Sequence, residues 1–523
     1  MKSILTSRIV GPLCLLVTVA SGTQVTFAAQ EVAWDAPPHP DSTDHLLFSA
    51  VSSLLQRWPN VLYGNGHTIV PAMIPIGTSL YHGGASSAPI APDWAAFDFD
   101  HAYMFCRRGP CHVVSLITTR DLRLAYFDGS SAVKLGNGSM DSQDVVAWGK
   151  PSPERCFDEW DRIEDLCAWG RPLGIDGFLR VGYHFEVMLC DFSAGLEVIE
   201  VLNYLPKIAP ERDDVQKFWD STVISSGAAV VSPQLDPPDG WKGSLPDELM
   251  SAFQGLVTGS WHDRAPGETR VHIDYSGLVT FYDTELSSLV APRRKVPRKQ
   301  YRLLDISAND SARVHAELAE VLGRKTKGSG VDWGSITRVV VERYAERLAT
   351  LRYLLDPSGF SDAAEQAAIV RTQLLTMLVP YITAEAVPEN FNASWASSVA
   401  GRCARTATSR LPAGLLTLQE RRIQRSVQGT LHEICRRLTL MWVDAFDIEA
   451  ADETHARNIL EVWQVQVSEL MEWLGWSVWS RCNPACEPDA MCYLSTWPPF
   501  VFDPSRKHAG PHCISLVKPG EWA

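Results

Sequence analysis

Apolar positions fall into two regimes along the chain. In the first two hundred residues they form short runs, and in the last two hundred they recur every three or four positions. The runs Ser79-Leu-Tyr-His82, His112 to Ile117, Leu122 to Phe127, Gly177 to Val181 and Phe185 to Phe192 are rich in β-branched and aromatic residues. Gly, Asp or Pro bounds them, which predicts strands. Helical spacing over Asp44 to Trp58, Asp98 to Cys106 and Glu154 to Trp169 makes this section, 44–204, an α+β domain. From Ser311 the pattern turns helical. Ile336, Val340, Tyr344, Leu348, Leu351 and Leu355 form one apolar stripe that Pro357 stops, and further helices are predicted over 361–379, 394–409, 416–445 and 453–478. Residues 311–480 therefore read as a helical domain and 481–523 as a cysteine-rich tail. Residues 205–310 read as an extension with strand-like runs at Thr269 to Tyr275 and Leu278 to Tyr282. Its basic cluster, Arg293 to Arg302, is broken by Pro292 and Pro297 and reads as a solvated loop, with a processing site as the alternative.

The beginning of the chain changes the picture from a fold to a compartment. Met1 to Ala29 has a basic start (Lys2, Arg8), an apolar stretch from Ile9 to Ala20 and small residues before Gln30, the pattern of a secretory signal peptide. A Pro- and Asp-rich linker to position 43 follows. Later apolar runs are interrupted within a few residues by Arg, Glu or Pro, so no membrane span is expected, and the C-terminus lacks the tail a GPI signal requires. The product is expected to be secreted, with Asn137, Asn309 and Asn392 as glycosylation sequons. Among 523 residues, 47 Lys and Arg against 61 Asp and Glu give a net charge of −14. Removing Lys2 and Arg8 leaves 45 − 61 = −16, which argues against nucleic acid as a partner. The oligomeric state is open.

Export also decides how the 12 cysteines read. In an oxidising compartment disulfides are the default, and the eleven that follow the signal segment leave one thiol over. Cys190 at the end of an apolar strand is the expected free thiol. Cys106 with Cys111 and Cys156 with Cys167 are spaced to close local loops, and Cys403 and Cys435 lie on two predicted helices that a bridge would staple. The uneven spacing of Cys482, Cys486, Cys492 and Cys513 favours a disulfide-stapled tail over zinc.

Candidate chemistry is confined to the first domain. Leu80-Tyr81-His82-Gly83-Gly84 places a histidine where glycines let a ligand approach the backbone. Trp94-Ala-Ala-Phe97-Asp98 leads into a helix holding His101 and Phe105. Gly174-Ile-Asp176-Gly177 precedes Glu186, a carboxylate in an apolar strand that either points outward or sits in a cleft. His101, His112 and His184 are too scattered to suggest a metal set. The acidic run from Glu154 to Asp165 is expected to be a solvated helix face.

In this order, over residues 77–202, the pieces resemble the ADP-ribosyltransferase-like superfamily. The resemblance implies a mixed-sheet fold in which NAD is a substrate. His82, with Gly83, would hold the adenosine-side ribose, Phe97 or Phe105 would pack on nicotinamide, and Glu186 would be the catalytic carboxylate. The sequence departs from the family at Gly84, where Thr or Ser is usual, and at His184, where a second acidic residue serves transfer to a protein acceptor. The rest of the chain resembles large secreted fungal glycoproteins, in phrases such as Ser329-Gly-Val-Asp-Trp333 and Arg343-Tyr-x-x-Arg347-Leu348. Two functions follow as expectations: cleavage of the nicotinamide–ribose bond, as a transferase to an unknown acceptor or as an NAD glycohydrolase, or a non-catalytic extracellular binding module on the same scaffold.

Overall fold

The computed structural model describes residues 33–89, 91–105, 111–134, 138–204, 257, 259–325, 328–384, 394–445, 453–494 and 510–516. The signal segment, Cys106, Asn137 and Asn392 lie outside them. Helices α1 (Asp44–Ser53) and α2 (Arg57–Leu62) precede strands β1 (Thr68–Ile74), β2 (Ser79–Gly84) and β3 (Asp93–Ala96). A short helix α3 (Phe99–Tyr103) leads to β4 (Cys111–Thr118) and β5 (Leu122–Phe127). Then come α4 (Asp141–Trp148), α5 (Glu159–Gly170), β6 (Gly177–Val181), β7 (Phe185–Leu189) and β8 (Leu196–Tyr204). The extension adds the two-residue strands β9 (His272–Ile273) and β10 (Val279–Thr280).

These strands form one mixed sheet in the order β10-β1-β5-β6-β7-β3-β2-β4-β8, with β9 also on β1. Only β5 and β6 pair in parallel, and the crossover between them carries α4 and α5. Side chains alternate between two covered faces. On one, Val70, Tyr126, Leu179, Val187 and Leu189 join a core with α1 and the later helices. On the other, Ile69, Phe127, Phe178 and Met188 pack against α4, α5 and α7. Burial on both faces explains why these strands read as nearly continuous apolar runs.

The second half begins with α6 (Ser287–Arg293) and α7 (Ala308–Gly323), then α8 (Trp333–Leu354), α9 (Ala363–Leu378), α10 (Ser394–Arg405), α11 (Leu418–Asp444) and α12 (Glu453–Leu474). Caps set several starts. Asp332 accepts from Ser335 N, and Thr417 and Glu420 cap α11 reciprocally. Strands β11 (Ala490–Tyr493) and β12 (His512–Ser515) close the tail as an antiparallel pair.

Three expectations change. The run Thr269 to Tyr275 keeps only β9, because Asp274 accepts from Ser276 N and turns the chain before β10. The basic cluster is a solvated loop only in part: Arg294, Lys295 and Lys299 are exposed, but α6 runs through Pro292 to Arg293. There Arg293 is buried and donates to Phe281 O, Arg298 stands over the Tyr63 ring at 3.7 Å, and Arg302 pairs with Asp141 at 2.8 Å. The thiol assignments also shift. Cys190 is not free but bonded to Cys167, while Cys156 is the free cysteine among the described residues. Strand alternation explains this: Cys190 shares the parity of Met188, whose face α5 covers with Cys167. Cys156 stands before α5, whereas Cys167 lies more than two turns into it and is taken by Cys190.

Further disulfides join Cys403 to Cys435 between α10 and α11, Cys482 to Cys492, and Cys486 to Cys513. Cys111 is disulfide-bonded as well. Asn309 is exposed in the first turn of α7. No helix among the described residues is long and apolar enough to cross a membrane.

Candidate functional site

A cleft opens where β2, β3 and β7 lie side by side and α3 crosses them. Tyr81 pairs with Ala96, and Ala96 with Glu186, so β3 sets the spacing between β2 and the catalytic candidate on β7. The lining includes His82, Gly83, Trp94, His101, Phe105 and Glu186. Four of the five positions to which the resemblance gives roles thus share one cavity. Phe97 does not: it is 1% exposed in the core, with Arg270 over its ring at 5.1 Å, whereas Phe105 is 62% exposed.

Gly83 has a different reason to be glycine from the one expected. A Cβ there would lie 2.0 Å from the carbonyl oxygen of Ala102, so the residue admits the backbone of α3 rather than a ligand. His82 is 7% exposed, with Nδ1 2.7 Å from the Trp94 carbonyl and Nε2 3.8 Å from Asp93 Oδ2. Burial raises the Asp93 carboxyl. Asp176 of the Gly-x-Asp-Gly phrase lies outside the cleft lining. It forms a two-pronged pair with Arg120 and accepts from Arg123 N at 2.8 Å, fixing the start of β6.

Glu186 is 8% exposed and belongs to a buried charge ladder. Its Oε1 accepts from Arg180 Nε at 2.6 Å, across the β6–β7 register that pairs those two residues. Arg180 also bonds Glu159 and lies 3.3 Å from Gln143 Oε1. Glu159 in turn meets Arg162 and Lys134, and Arg162 reaches Asp144. Glu159 therefore departs from the solvated face expected for α5; Glu154, Asp158, Asp161, Glu164 and Asp165 do lie exposed. Burial opposes ionisation of Glu159, yet Arg180, Lys134 and Arg162 hold its carboxyl at about 2. The other oxygen of Glu186, Oε2, faces His101 Nε2 at 3.8 Å. Burial and the neighbouring His184 push the His101 imidazole down to about 4, so at neutral pH it is an uncharged neighbour.

Beside His101, whose ring lies 5.4 Å from that of His184, Asp98, His184 and His262 converge. Their ligand-type atoms all lie within 4.8 Å of one another. Asp98 Oδ2 is 3.2 Å from His184 Nδ1 and 3.9 Å from His262 Nε2, and Arg270 Nη2 stands 3.3 Å from Asp98 Oδ1. Burial works to raise the Asp98 carboxyl, but His184, His262 and Arg270 together hold it well below the ordinary carboxylate range. Burial keeps His184 down. In sequence His184 stands apart from His262, so spacing gave no signal for this group. His112 is not part of it; its Nδ1 is 3.3 Å from the Ala85 carbonyl. Arg180 and Glu159 did leave a signal: an arginine inside the apolar run 177–181 demands a buried partner.

Residues 41–112 and 110–209 match the family described as the YPL277C N-terminal domain. The chain is 25% identical over 91% of its length to a protein of Saccharomyces cerevisiae named Uncharacterized protein YOR389W, covering 83% of that protein. It is 28% identical over 45% of its length to Uncharacterized protein YPL277C of the same yeast, of which it spans 60%. No solved structure matches.

Proposed function

We propose that the cleft cleaves the nicotinamide–ribose bond of NAD in a secreted enzyme of ADP-ribosyltransferase or NAD glycohydrolase type. The observation that carries this reading is the β2–β3–β7 register, which gathers His82, Gly83, Phe105 and Glu186 into one cavity from segments far apart in sequence. In the hydrolytic form the C1′–N bond breaks, nicotinamide leaves with the bonding pair, water adds to C1′, and a proton is released. Positive charge develops on the ribose as the bond breaks. Glu186 Oε2, the oxygen that Arg180 does not hold, accepts the 2′-hydroxyl and stabilises that charge. Phe105 offers the face for nicotinamide, and His82 meets the second ribose. Disulfides in both halves support an oxidising, extracellular destination.

A second reading keeps the cleft and drops the chemistry. Arg180 at 2.6 Å offsets the charge that Glu186 would direct at the ribose, and His82 Nδ1 is already engaged by a backbone carbonyl. That arrangement favours a binding module. Nicotinamide release from NAD, measured beside Glu186→Gln, separates the two. The enzyme reading expects turnover that falls by about 10²–10³-fold in the variant. Calorimetric binding without turnover leaves the binding module, and absence of both removes NAD from either reading.

A further inference from the structure

We infer that Asp98, His184 and His262 form a binding site for one divalent transition-metal ion of the zinc class, set beside the cleft. Two imidazoles and one carboxylate are the donor set that zinc and related ions take when a coordination position is left for water or another ligand. Metal bonds of about 2.0–2.1 Å put neighbouring donors in a tetrahedron about 3.3 Å apart. Asp98 Oδ2 already stands 3.2 Å from His184 Nδ1 and 3.9 Å from His262 Nε2. Small rotations of the His262 ring complete the set.

The second observation is His262 itself. Its side chain is fully buried, yet among the described residues neither ring nitrogen has a hydrogen-bond partner, since 3.9 Å to Asp98 is too long for one. A buried imidazole without a partner costs about 1–3 kcal/mol, and a metal bond removes that cost. The surrounding charges leave room for a cation. Arg57 and Arg270 approach the site, but Asp263 holds Arg57 at 2.5 Å and Glu268 holds Arg270 at 2.7 Å. The three carboxylates of Asp98, Asp263 and Glu268 thus exceed the two guanidiniums by one charge. Arg270 Nη2 reaches both oxygens of Asp98, 3.3 Å from Oδ1 and 3.4 Å from Oδ2, and fixes the carboxylate plane, the usual service of an outer partner to a ligand; a metal on Oδ2 would take the place of the longer contact. The other grouping of metal-type residues among the described residues, Cys482, Cys486 and Cys492 of the tail, holds its sulfurs in disulfides.

The test uses the untagged, full secreted chain, purified without chelator, then stripped with EDTA and titrated with zinc. Elemental analysis is expected to find about one zinc per chain, falling at least tenfold in His262→Ala and in Asp98→Asn. X-ray absorption on the zinc-loaded wild type is expected to count two imidazoles and no sulfur, a readout that does not depend on either variant folding. The inference is overturned by no zinc uptake in the wild type, by uptake undiminished in variants with native circular dichroism, or by a zinc shell without two imidazoles.

Discussion

Arg180 is the residue on which the candidate carboxylate most directly depends, and Arg180→Met isolates that dependence. The guanidinium is fully buried and serves Glu186, Glu159 and Gln143 at once. Deleting it does not orphan all three. Glu159 keeps Arg162 and, at 3.4 Å, Lys134, whereas Glu186 keeps an uncharged His101 at 3.8 Å and only the more remote charge of Lys134, with which it has no direct ion pair. The loss therefore concentrates on one carboxylate and should stand at the low end of the range for a broken buried pair, about 3 kcal/mol. Adding Glu186→Leu to Arg180→Met should return about 2 kcal/mol of that, because the uncompensated charge is gone. Urea unfolding with the disulfides intact, followed by tryptophan fluorescence, measures both quantities. A single variant within 1 kcal/mol of the parent, or a double variant no better than the single, would refute the view that Arg180 compensates the buried Glu186 carboxylate.

Two further outcomes are expected. Gly83→Ala should lower stability by about 3 kcal/mol and weaken ligand binding in the cleft, since its Cβ would press on the Ala102 carbonyl and push α3 off β2; thermal unfolding beside NAD calorimetry checks both. His67, buried against Tyr282 at 4.6 Å, is pushed down to about 3, chiefly by burial and the Arg293 charge. Its contribution is fully present above the unfolded value of about 6.5 and is lost as pH falls toward 3. Between pH 7 and pH 5 this amounts to about 2 kcal/mol, and His67→Phe should flatten the pH dependence of the unfolding midpoint by that much.

The division into a strand-rich first part and a helical second part was legible because the apolar period changes between them, and α8 ends before Pro357 where the pattern says it should. The placement of Phe105 and Glu186 in one cleft was legible only as an ordered set of residues. Alternation does carry the bridge at Cys190, whose parity with Met188 points it at α5. Pairings across long separations were illegible in principle. Nothing local in His184 or His262 announces the other, and the burial of Arg293 depends on Phe281 and Tyr282 from a different turn of chain. Gly83 shows a subtler limit: the residue type was noticed, but only the coordinates distinguish room for a ligand from room for a neighbouring backbone.

The shared core of α1 and α11 has a consequence for biogenesis. Leu47, Phe48 and Val51 of α1 belong to the same apolar cluster as Ile423, Val427 and Leu431 of α11, and Gly429 lies close enough that a Cβ there would meet Asp44. At a synthesis rate of about 5–20 residues per second, α1 emerges tens of seconds before the helix that covers it. During that interval the part of the α1 apolar face that α11 covers has only the early sheet and α8 beside it. Completion of the core around α1 therefore waits on the late arrival of α11, so a chain shortened before Leu418 would leave that face of α1 uncovered.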